Sequence, residues 1–163
     1  MPEIFERNVI DEISELIKQL KISEEDFNGR TGGTRPVHAM IINEIREYWI
    51  TNLGIYISSP TMYDIDFVGR EKGEVGRIIL ASEIDLGSRR QRSWLKLADI
   101  RSENKIWIYI TKHPVKRAEY RFKGALELIQ ELLKFREEDT STFGRFAAIM
   151  KTPEIFQCKW LLR

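Results

Sequence analysis

The chain has little of what several common chemistries require. It holds one cysteine, Cys158, so no internal disulfide forms and no thiolate zinc site can be built. Its two histidines, His38 and His113, stand near no serine or cysteine in a nucleophile motif, which argues against a hydrolase triad. No stretch approaches the roughly 20 apolar residues of a membrane helix. The opening MPEIFERNV is charged early and lacks a signal-type apolar region, which points to the cytoplasm. Charge of one sign is also missing. The net charge is +1, so nucleic-acid binding would need a local patch. There is no internal repeat and no low-complexity tract. The glycine-rich stretch FNGRTGGTRP, 27–36, lacks the lysine and hydroxyl residue of a P-loop, and reads as a connection.

What remains is a 163-residue chain of ordinary globular composition, long enough for one domain with a sizeable core. Residues 7–20 carry apolar side chains at helical spacing. A second helix is expected over 37–53, ended by Gly54. IYIS, 55–58, is a short strand candidate. MYDIDFVGR, 62–70, and GRIILASEIDL, 76–86, read as an antiparallel hairpin around the turn EKGEVG. A helix over 88–100, an apolar strand over 105–111 and a long helix over 115–138 follow. The segments flanking Thr152 and Pro153 favour a terminal strand pair over two short helices. The expected class is α/β in the mixed α+β sense, a mixed sheet flanked by helices.

Within this pattern, acids fall where apolar residues are expected. Asp64 and Asp66 share one face of the first hairpin strand. Glu83 and Asp85 share a face of the second with Ile79 and Ala81, opposite Leu80, Ile84 and Leu86. Pairing of the two strands gathers the carboxylates near one end of the sheet. On the second helix, Glu44 falls inside the extended apolar arc, as does His38, whereas Glu47 lies at its edge. Buried, unpaired carboxylates are costly. A divalent cation offsets that cost, and hard oxygen donors suit Mg2+ or Mn2+ better than zinc. The alternative is a solvated acidic face, or acids paired with Arg70, Arg77, Arg89, Arg90 and Arg92.

The ordered set of a helical acid, IDFV at 65–68, a turn, SEID at 82–85, a lysine-bearing helix and an apolar strand resembles the PD-(D/E)XK nuclease superfamily. The resemblance spans roughly 37–111. It implies a restriction-endonuclease-like core over about 37–136 within a single domain, 1–163. It implies an Mg2+ (or Mn2+) site formed by Asp66, Glu83, Asp85 and Glu44, with Asp64 as the alternative to Asp66. The position usually held by the motif lysine is Asp85. In some members the lysine has moved to the following helix, where Lys96 stands here. The implied partner is DNA, with Arg89, Arg90 and Arg92 on its phosphates and a homodimer cutting both strands. Members that have lost catalysis serve as binding modules, which is the other function implied. Lys112, Lys116, Arg117, Arg121 and Lys123 form a second basic group after the apolar strand. Both groups would flank the acids if they share one end of the sheet. Trp94 and Trp107 are candidates for base stacking, or for the core.

Overall fold

The computed structural model describes residues 8–29, 35–54, 56–57, 65–73, 76–86, 93–135 and 143–162. The first helix, α1, is Val9–Gln19. Its Val9, Ile10, Ile13 and Ile17 recur at three- and four-residue spacing and are fully buried. Asn8 caps it by accepting the Asp11 amide. A short 3-10 turn, Glu24–Phe27, leads toward α2, Pro36–Asn52. Pro36 suits the first turn of α2, where an amide is spare in any case. Gly54, with φ of +59°, terminates it by donating to the Trp49 carbonyl.

The sheet has five strands in the order β1-β2-β3-β4-β5. They are β1, Phe67–Arg70; β2, Ile78–Asp85; β3, Ser102–Ile110; β4, Phe143–Lys151; and β5, Phe156–Leu162. The outer pairs β1/β2 and β4/β5 are antiparallel, and β2, β3 and β4 run parallel. Parallel neighbours need crossovers. Helix α3, Trp94–Asp99, lies in the first, and α4, Val115–Phe135, forms the second. The fold is mixed α/β, and the C-terminal segments form the expected strand pair. Of IYIS, the described part contributes a single antiparallel bridge, Ile57 to Gly69. Asp64, Arg89, Arg90 and Arg92 lie outside the described residues, as do half of the glycine-rich stretch and the start of the expected helix over 88–100. No described helix is long and apolar enough to cross a membrane.

Each face of the sheet carries a core. Helices α1 and α2 pack on Leu80, Ile84, Ile106, Ile108 and Ile149. Helices α3 and α4 pack on Ala81, Trp107, Tyr109, Ala148 and Met150. Trp94 and Trp107 belong to this second core, and Trp107, Tyr109 and Phe122 stack against one another. Ile79 departs from the expected alternation. Gly69 pairs with Leu80 but Arg70 pairs with Ile78, so Ile79 is the extra residue of a bulge and turns to the Leu80 side. Glu83 and Asp85 keep the Ala81 face. Gly69 is required by close packing: a Cβ there would lie 2.6 Å from Cε2 of the fully buried Trp49. Gly69→Ala is expected to destabilise the fold by about 1–3 kcal/mol through overpacking, measured by urea denaturation.

Candidate functional site

The two acids of the hairpin meet where its ladder ends. The last pair of β1 and β2 at this end is Phe67 with Ser82, so the next would join Asp66 to Glu83. Side chains replace that pair. The Asp66 amide donates to Glu83 Oε1 at 3.1 Å, and the Ile84 amide donates to Asp66 Oδ2 at 2.8 Å. Each carboxylate thus accepts a backbone N–H of the opposite strand, which is a charge-assisted bond. Two acids are thereby held side by side.

Each acid also meets one cationic or titratable neighbour. His38, near the start of α2, brings Nε2 to 3.1 Å from Asp66 Oδ1. Lys96, in the middle of α3, brings Nζ to 3.6 Å from Glu83 Oε1. Asp66 therefore sits between the two helical layers, touched by α2 from one and bonded to Glu83 on the side of the other. The Glu83 side chain is 4% exposed, against 22% for Asp66 and 41% for Lys96. The site opens toward solvent through Asp66 and Lys96, with Glu83 at its floor.

Burial pushes the Glu83 carboxyl up to about 7, and the neighbouring Asp66 charge pushes it the same way. Lys96 and the Asp66 amide pull it down, but by less. A carboxyl poised near neutrality beside a second carboxyl is a proton-rich site with a standing demand for positive charge.

Asp85, the last residue of β2, is buried beside Tyr109, its register partner on β3. Burial raises the Tyr109 hydroxyl above its usual range, and the Asp85 charge adds to this. Glu44 is half-buried on α2. It lies six residues beyond His38, about 9 Å along the helix and about 120° around it. Among the described residues, no hydrogen bond or ion pair joins Glu44 to Asp66 or Glu83. The structure thus brings Asp66, Glu83 and Lys96 together and places Asp85 two residues further along β2. His38 is the α2 side chain that reaches Asp66. Its inward projection among Val37, Ile41 and Ile45 was the sequence signal for it.

Among the described residues, no group of three or more His, Cys, Asp or Glu side chains is arranged to hold a metal ion. Compared with protein-family models, curated proteins and solved structures, the chain matches none.

The raised Glu83 carboxyl has a thermodynamic consequence. Its folded value, about 7, exceeds its unfolded value near 4.5, so the native state binds this proton more tightly. The resulting stability is full below pH 4.5 and is lost as pH rises through about 7. Glu83→Gln, which stays neutral and still accepts the Asp66 amide, is therefore expected to be more stable than the parent above neutrality. The gain is at most about 3 kcal/mol and fades as pH falls toward the unfolded value. Paired urea denaturation across that range measures it.

Proposed function

We propose that this protein is a metal-dependent nuclease of the restriction-endonuclease-like type, hydrolysing DNA phosphodiester bonds in the cytoplasm. The carrying observation is the joined Asp66–Glu83 pair with Lys96 beside Glu83. The order of parts agrees with the family resemblance: the antiparallel acidic hairpin, the lysine-bearing helix, then a parallel apolar strand.

The donors suit a hard divalent cation. Mg2+ is commonly bound by one or two carboxylates, with waters and substrate phosphate oxygens completing its shell. A pair of acids without a third protein ligand is compatible with that habit. Asp66 and Glu83 would hold the ion, with Asp85 the nearest further carboxylate on β2. When bound, such a cation neutralises phosphate charge and activates water. The chain's own groups do the rest. Glu83 would release to solvent the proton that burial favours, and so offer a carboxylate to the ion. His38 fixes the orientation of Asp66. Lys96, approaching from α3, compensates for the aspartate at the usual lysine position and orients the attacking water. A twofold dimer would present two such sites to the two strands.

A second reading is favoured by one observation: both carboxylates already have protein partners, Asp66 the Ile84 amide and His38, Glu83 the Asp66 amide and Lys96. In that case the fold is an inactive module that binds DNA or a protein.

Nicking of supercoiled plasmid in Mg2+ or Mn2+ separates the two. The nuclease is expected to cut, Glu83→Ala to abolish cutting, and Lys96→Ala to slow it by roughly 100-fold. No cleavage, together with a melting temperature indifferent to Mg2+, would leave the inactive module.

A further inference from the structure

The strands β2 and β3 run parallel, so the end that carries Glu83 and Asp85 is also the end from which β3 leads into α4. That junction is dense in cations. Lys112 and His113 precede α4, and Lys116, Arg117, Arg121 and Lys123 lie in its first nine residues. The one acid in that stretch, Glu119, accepts a hydrogen bond from Gln157 Nε2 at 3.2 Å and so faces β5. Arg117 and Arg121 are four residues apart and share a flank. That flank faces the other way, toward β2: the Tyr109 hydroxyl lies within the influence of both Arg121 and Asp85. The cations also gather around His113, whose imidazole is held below its ordinary value by burial and by Arg117, Arg121 and Lys112.

Arg121 also hydrogen-bonds the Tyr109 hydroxyl, but helix stability does not account for the cations of the first turn. The amino end of a helix favours anions, yet the first turn of α4 holds no acid and carries Lys116 and Arg117. The charge reverses further along, where Glu127 and Glu131 occur. Tyr120, one turn further on from Lys116, stands on the outer surface, 81% exposed. An exposed tyrosine among lysines and arginines is a common phosphate contact. Lys112 is anchored by Nζ to Asn28 Oδ1 at 3.2 Å, which holds its charge at the same end of the molecule.

We propose that Lys112, Lys116, Arg117, Tyr120 and Arg121 form a docking surface for the DNA backbone leading away from the Asp66–Glu83 pair. The inference rests on the nuclease reading for the placement of the scissile phosphate. Helix α4, on this account, sets the direction in which the strand leaves the acids. Its cations replace condensed counterions along that path, so they set the salt dependence of binding.

The test is fluorescence anisotropy of a short labelled DNA duplex binding the full chain, with Ca2+ in place of Mg2+ and salt varied. Lys116→Ala/Arg117→Ala is expected to bind roughly tenfold or more weakly and to flatten the plot of log affinity against log salt by about 0.9 per lost phosphate contact. Lys134→Ala, at the far end of the same helix, is expected to leave both unchanged. Lys116→Glu, a single exposed change, is read in the same way should the double variant melt early. Wild-type binding that the two variants leave unaltered would overturn the surface while leaving plasmid cleavage to stand. Absence of DNA binding by the wild type would overturn it as well. Loss of binding in the variants of a protein that does not cut would uphold the surface and reject the nuclease.

Discussion

The two bonds by which Glu83 accepts the Asp66 amide and Asp66 accepts the Ile84 amide are the constraint on which the rest of this site depends. An antiparallel ladder ends where its next pair would form, and here two carboxylates take over the hydrogen bonds. Without the Ile84 and Asp66 amides as donors, the two acids would repel each other at the end of a buried strand. With them, the acids are held close enough to share a counter-charge. The bonds do not cancel the cost. Glu83 remains a carboxyl displaced toward neutrality, so the fold spends stability on keeping it there. Sites that carry such a cost are often functional ones.

The two-layer packing explains how other groups reach the pair. Helix α2 belongs to the core shared with α1, and α3 to the core shared with α4. Asp66 lies just before β1, at the strand end, where both layers are within reach. His38 comes from one and Lys96 from the other. Trp49, packed on Gly69 and edge-on to Phe67, fixes α2 against β1 and thereby the position of His38. The bulge at Ile79 keeps the hydrophobic count of β2 correct on both faces while leaving Glu83 on the side of α3.

Much of this was legible in the sequence, and what was not has local causes. The period of two in SEID placed Glu83 and Asp85 together, and the helical pattern placed Lys96 on the element that follows. Strand alternation failed at Ile79, because a bulge resets parity without leaving a mark in composition. The rotation of α2 was not fixed by its pattern. An apolar arc containing both His38 and Glu44 does not say which of them meets β1, and one residue of helical drift decides it. The short strand expected over 55–58 has only one bridge among the described residues, Ile57 to Gly69. The charge division of α4 was visible as a run of lysines and arginines. Its orientation toward Asp85 depended on the parallel pairing of β2 with β3, a long-range fact.

The most direct test of the acid pair is an NMR titration of the isotope-labelled Glu83 side-chain carboxyl carbon, assigned by its loss in Glu83→Gln. The account predicts an apparent pKa of about 7 without divalent cation, moving down when Mg2+ is added. A carboxyl that titrates near the ordinary 4.5, with no response to Mg2+, would contradict it.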